Sequence, residues 1–191
     1  MEGTPQEASL TALEKTVRAL IKTYTSEACY RQISQSLVNG MQENCVNYLT
    51  LLLKKLENLD TSFTYSDSST PLYRGIAREF IKLEDYQVNK IHFWAAFSSS
   101  SKSKDVAINM ARRGKPKGSH AVVFNIYVSD DNSPITNIDL PLSWSFYPSE
   151  QEVLLLPFFC FQVVKVSEDL NTAITEITIV EVPKQNFLAI R

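Results

Sequence analysis

Glycine is scarce in this 191-residue chain: there are five, and none falls in a Gly-x-Gly-x-x-Gly or Gly-Lys-[Ser/Thr] pattern. The glycine-rich turns that cradle phosphate in Rossmann and P-loop nucleotide sites are therefore unsupported. Cysteine is equally sparse. Cys29, Cys45 and Cys160 are odd in number, far apart and each inside an apolar segment. They make neither a disulfide framework nor a Cys-x-x-Cys motif and read as buried free thiols. His92 and His120 are the only histidines, with no His-Glu-x-x-His and no ligand cluster, so no metal is expected. Charge of one sign is missing too: a net charge of -2 lacks the basic excess of a nucleic-acid binder. No apolar run approaches the ~18 residues of a membrane span. The start of the chain, Met1-Glu2-Gly3-Thr4-Pro5, has no basic and then apolar stretch of a secretory signal, which points to a cytoplasmic location.

What the chain does contain is 44% hydrophobic and 21% charged residues, the balance of an ordinary globular domain. We read residues 1–191 as one α+β domain, with a helical lobe over 4–58 and a β-rich core over 71–183. In the lobe, Thr4-Pro5-Gln6-Glu7 has the elements of a helix start. Leu10, Leu13, Val17, Leu20, Ile21 and Tyr24 then recur at helical spacing. A second helix carries Tyr30, Ile33, Leu37 and Val38 up to the break at Asn39-Gly40, and a third carries Met41, Cys45, Tyr48, Leu49, Leu52, Leu53 and Leu56. After a polar loop at 60–70 the pattern turns to strands, expected at 71–74, 92–98, 119–128, 151–156, 158–166 and 174–182, with one short helix at 104–112. Little βα alternation predicts a mixed or antiparallel sheet, not a doubly wound one.

Three segments carry chemistry. In Tyr147-Pro148-Ser149-Glu150-Gln151-Glu152-Val153-Leu154, two carboxylates one residue apart open an apolar run. On a strand, Glu150 and Glu152 project to one face, and like charges so placed perturb each other's ionisation. In Leu72-Tyr73-Arg74-Gly75, an Arg flanked by apolar residues on a strand needs an anion, supplied either by a structural ion pair or by a bound phosphate or carboxylate. Gly75 permits close backbone approach to a ligand. In Trp94-Ala95-Ala96-Phe97-Ser98-Ser99-Ser100-Ser101, a strand delivers a run of hydroxyls. These either cap the helix that follows or orient a carboxylate across a cleft. Lys102, Lys104, Arg112, Arg113, Lys115 and Lys117 form a basic run. It reads as a solvated face, or else serves an anionic ligand or acidic protein.

Arg, strand Ser and Glu-x-Glu in that order resemble the Arg-Ser-Glu signature of arginine-specific mono-ADP-ribosyltransferases. Leu72-Tyr73-Arg74-Gly75 is similar to the family's first motif, and Phe97-Ser98-Ser99-Ser100-Ser101 resembles its Phe-x-Ser-Thr-Ser, with Ser100 in place of Thr. Ser145 to Leu154 resembles the loop and catalytic strand of the arginine-specific enzymes. Tyr24-Thr25 is similar to the helical segment bordering NAD. Ala96 departs from the pattern, where relatives often carry a Gln that touches the cofactor. The resemblance implies an ADP-ribosyltransferase fold, a helical N-terminal lobe on a β-sandwich. It also implies NAD as co-substrate, no metal, and a protein acceptor presenting an arginine to a monomeric enzyme. Catalytic roles fall to Arg74, Ser99, Glu150 and Glu152, and cofactor contacts to Tyr24, Arg74, Gly75, Ser99 and Ser145. Glu152 would stabilise the ribosyl cation, Ser99 would hold Glu152, and Glu150 would select arginine. An NAD glycohydrolase, an inactive NAD-binding module, a secreted effector and a truncated ectoenzyme are the alternatives.

Overall fold

The computed structural model describes residues 10–26, 43–56, 58–113, 119–130 and 135–183. Helix α1 spans Ala12–Thr25 and is started by a capping box. Glu14 donates its backbone N–H to Thr11 Oγ1 at 3.2 Å, and Thr11 N–H returns to Glu14 Oε2 at 2.6 Å. The expected start at Thr4-Pro5 lies outside the described residues, as does the second expected helix with its break at Asn39-Gly40. Val17, Ile21 and Tyr24 form the buried stripe of α1. Helix α2, Glu43–Leu56, adds Leu49, Leu52 and Leu56, and the two helices pack together on one side of the sheet.

Eight strands follow: β1 (Leu72–Ala77), β2 (Ile91–Trp94), β3 (Ser98–Ser101), β4 (Ala121–Tyr127), β5 (Asn137–Asp139), β6 (Glu152–Leu155), β7 (Phe159–Asp169) and β8 (Ile174–Glu181). Their order is β2-β7-β8-β4-β1-β3-β6-β5. Among the described strands only β4 and β8 pair in parallel, so the sheet is mixed, as expected. β1 meets β4 over its whole length but meets β3 at a single pair, Tyr73 and Ser101. The chain thus forms a five-stranded and a three-stranded sheet joined at one point.

Alternation along the strands gives each sheet two faces. Val153 and Leu155 of β6 face Val122, Phe124 and Ile126 of β4 in the core between the sheets, whereas Leu154 packs against the helical lobe. On the far side, helix α3 (Lys104–Arg112) lays Ala107 and Ala111 against Ala121 and Val123. The layers are therefore lobe, three-stranded sheet, five-stranded sheet and α3.

Two elements differ from the sequence reading. The strand expected at 92–98 is divided: β2 ends at Trp94, the chain bends, and the four serines form β3. Serine has little strand preference of its own, and it is the ladder to β6 that imposes the conformation. Strand β5 was unforeseen because it is three residues long and polar at both ends. It is set by pairing with β6 and by Asn137, whose buried amide accepts from Tyr65 N–H at 2.8 Å.

Candidate active site

The geometry is built around Glu152, the first residue of β6, with only 5% of its surface exposed. Its Oε1 accepts from Ser99 Oγ at 2.6 Å, and its Oε2 accepts from Ser145 Oγ at 3.1 Å. Ser145 Oγ is itself oriented by Tyr147 N–H at 3.0 Å. Burial pushes the Glu152 carboxyl above its ordinary range, while the two hydroxyls and the Arg74 guanidinium pull it back down. The ladder explains why Ser99 is the serine that reaches it. Ser99 pairs with Leu154, and Glu152 lies diagonally across the ladder. The other hydroxyls are committed elsewhere: Ser98 Oγ to the Ala96 carbonyl, Ser100 Oγ to that of Val153 and Ser101 Oγ to that of Glu150. None of the four caps α3, whose N-cap residue Ser103 makes no side-chain capping bond.

Arg74 lies where the two sheets separate. Its Nη1 donates to the Ser99 carbonyl at 2.7 Å, and its guanidinium sits 5.5 Å from the Trp94 ring centroid. Its Nε is buried and has no hydrogen-bond partner in the protein. A buried donor on a cation without an acceptor costs free energy, and an anionic ligand oxygen would remove that cost.

Glu150 arrives by a route other than the one expected. It is not on the strand with Glu152 but ends a 3-10 turn, Pro148–Glu150, and Gln151 follows in the left-handed region at φ 46°. The two carboxylates are brought together by this twist and not by the pleat. Proline at the start of the turn presets the local φ. Ser101 Oγ donates to the Glu150 carbonyl at 2.7 Å, and Lys102 N–H to that of Gln151 at 3.3 Å, pinning the turn to β3. Glu150 is also raised above the ordinary range, first by burial and then by Glu152, and Arg113 opposes the rise.

These groups share a cleft of about 300 Å³ with Tyr73, Gly75, Val106, Met110, Arg113 and Tyr147. That is the low end of the usual range for ligand sites. Five of the seven residues proposed from sequence, Arg74, Gly75, Ser99, Glu150 and Glu152, stand on its wall. Ser145 sits beneath Glu152 as a support, 5% exposed. Tyr24 is fully buried against Phe97, with ring centroids 4.8 Å apart, and its neighbour Thr25 lines the cleft. Gly75 meets a need that sequence reasoning assigned to ligand approach. A Cβ there would lie 1.7 Å from the Ala107 carbonyl oxygen, so α3 can dock on β1 only over glycine. Val106 and Met110 on the cleft face of α3 were missed, although their i, i+4, i+7 spacing with Arg113, whose alternative role was to serve an anionic ligand, is visible in the sequence. Among the described residues no group of three or more His, Cys, Asp or Glu side chains could hold a metal ion, and no helix is long and apolar enough to cross a membrane.

Residues 13–185 match the family model described as "NAD:arginine ADP-ribosyltransferase". The chain belongs to this family. The ADP-ribosyltransferase fold is repeated in the Vis toxin of Vibrio splendidus, with a TM-score of 0.65 at 16% identity over 95% of this chain and 78% of that one. Exoenzyme S of Pseudomonas aeruginosa, solved with human 14-3-3 protein beta and carba-NAD, gives 0.66 at 14% identity over 93% and 78%. C3stau2 of S. aureus, solved with NAD, gives 0.60 at 17% over 94% and 91%. Vis has also been crystallised with agmatine. At these identities the likeness establishes the ADP-ribosyltransferase fold. No curated protein matches the sequence.

Proposed function

We propose that this ADP-ribosyltransferase takes NAD as co-substrate and transfers its ADP-ribose to arginine side chains of a protein acceptor. The bond from the nicotinamide nitrogen to ribose C1' breaks, a bond from a guanidine nitrogen to C1' forms, nicotinamide leaves, and one guanidinium proton is released. The observation that carries this reading is the constellation itself: a buried Glu152 gripped by two hydroxyls, with Glu150 beside it and an incompletely satisfied Arg74 on the same cleft. Glu152 supplies fixed negative charge where the ribose becomes cationic, and Ser99 and Ser145 keep it from turning away. Arg74 Nε–H is the donor for a phosphate oxygen of the dinucleotide, and Gly75 offers backbone to its nicotinamide end. Tyr24 backs this region through Phe97.

Glu150 acts on the acceptor. A guanidinium, with a pKa above ~12, is a poor nucleophile until an adjacent carboxylate takes up its positive charge or its proton. Agmatine, the guanidino compound crystallised with Vis, is the natural probe. Glu150→Gln keeps the size and removes the base. It should suppress transfer from NAD to agmatine by ~100-fold while sparing NAD hydrolysis, since water needs no guanidinium activation. Nicotinamide release with and without agmatine measures both activities. A parallel fall would assign Glu150 to bond cleavage, and a wild type that hydrolyses NAD but never modifies agmatine would make the protein a glycohydrolase.

A further inference from the structure

Among the described residues of the basic run, Arg113 is the cation that lines the cleft. Arg112 is committed to backbone carbonyls: its Nε donates to Ser119 at 3.1 Å and its Nη2 to Thr172 at 2.6 Å. Arg113, the C-cap residue of α3, instead lines the cleft with Val106 and Met110 of the same helix face. Its charged and titratable neighbours on that wall are Tyr73 and Arg74 from β1, Tyr147 and Glu150 from the turn, and Glu152 from β6. No hydrogen bond or contact ion pair joins Arg113 to Glu150 or to any other described residue. The two line the same cleft without touching.

We infer that Arg113 is the internal counter-charge of Glu150, and that an acceptor guanidinium enters the cleft in competition with it. This deepens the arginine-transfer reading and rests on it. Arg113 and the acceptor carry the same group, and Glu150 is the carboxylate that both address. Glu152 is already held by Ser99 and Ser145 and has Arg74 as its own cation. Among the described residues no hydroxyl binds the Glu150 carboxylate, and the cation acting on it is Arg113. With the cleft free, Arg113 favours the ionised form of Glu150, opposing burial and the neighbouring Glu152. With an acceptor present, the attraction passes to the newcomer, and the like charge of Arg113 opposes entry. Arg113 is thus a positioning residue that trades acceptor affinity for a charged, ready base.

Arg113→Gln separates these effects. Without the counter-charge, the acid limb of agmatine kcat/KM should move to higher pH. On the alkaline plateau, the agmatine KM should fall roughly two- to fivefold, the size of a partly screened charge interaction. Arg113→Lys, which restores the charge, should return both towards wild type. Carboxyl NMR titration of Glu150 in the unliganded protein gives a readout independent of turnover, and it should titrate higher in Arg113→Gln. An unmoved Glu150 titration would overturn the pairing whatever the acceptor. A raised NAD KM with the agmatine KM and acid limb unchanged would also overturn it, assigning Arg113 to the dinucleotide. If Glu150 titrates higher but wild type never modifies agmatine, the arginine reading fails, and the competition fails with it.

Discussion

Glu152 is held in a place that suits chemistry better than stability. Its carboxyl is raised mainly by burial, and that raises a definite expectation for pH. A carboxyl whose folded pKa exceeds its unfolded value contributes stability below the unfolded pKa and loses it as pH climbs through the folded one. At neutral pH the buried carboxylate therefore weakens the fold. Glu152→Gln should be inactive yet more stable than wild type at pH 7 by about 1 kcal/mol, a usual size for relieving a functional-site strain. Thermal melts should show the gap closing as pH falls towards 4, and a gap independent of pH would contradict the burial argument. Activity has the opposite sign. Both Glu150 and Glu152 are raised above 4.5, so transfer should fail on acidification at a higher pH than an exposed glutamate would dictate.

At the scale of elements, the site depends on how α3 and β1 meet. Gly75 stands under Ala107 with no room for a methyl group, since the new Cβ would fall 1.7 Å from a backbone oxygen. Gly75→Ala should push α3 off the sheet and destabilise the protein by about 3 kcal/mol. Because Val106, Met110 and Arg113 ride on that helix, NAD-dependent transfer should fall too. Urea denaturation measures the first effect, and a loss below ~1 kcal/mol would mean that the helix re-seats without strain. The turn from Pro148 to Gln151 is the other element that matters. Its left-handed Gln151 and its bonds from Ser101 and Lys102 aim Glu150 at the cleft.

For the whole molecule, the question is whether the lobe and the two sheets behave as separate bodies. β6 argues that they do not. Leu154 belongs to the core shared with the helices, while Val153 and Leu155 belong to the core between the sheets, all three fully buried. Opening either core exposes the same strand. Leu154→Ala should therefore cost about 3 kcal/mol, and unfolding should stay a single transition by far-UV and near-UV circular dichroism. Two separated transitions would show that the lobe unfolds independently. The arrangement also ties fold to function, since the strand that couples the layers begins with Glu152.

Much of this was legible in the residues. Val17, Ile21 and Tyr24 recur at helical spacing because a helix buries one stripe, and β4, β7 and β8 stand out because strands buried between layers are apolar and β-branched. Arg74, Ser99, Glu150 and Glu152 were recognisable because their order along the chain survives any packing detail. The chain alone did not tell which partner each would meet. Four adjacent serines are chemically identical, and only the ladder to β6 assigns Ser99 to Glu152 and its neighbours to carbonyls. Period-two reasoning put Glu150 and Glu152 on one strand face, but a turn residue at φ 46° replaced that geometry with another giving the same proximity. Gly75 and Arg113 acquire their meaning from α3 crossing β1, a contact between segments about 30 residues apart. Local sequence sets periodicity and residue chemistry, because these act over a few bonds. Pairing across the sheets sets which hydroxyl, carboxylate and guanidinium share a cleft, because that is decided by distances the chain covers only when folded.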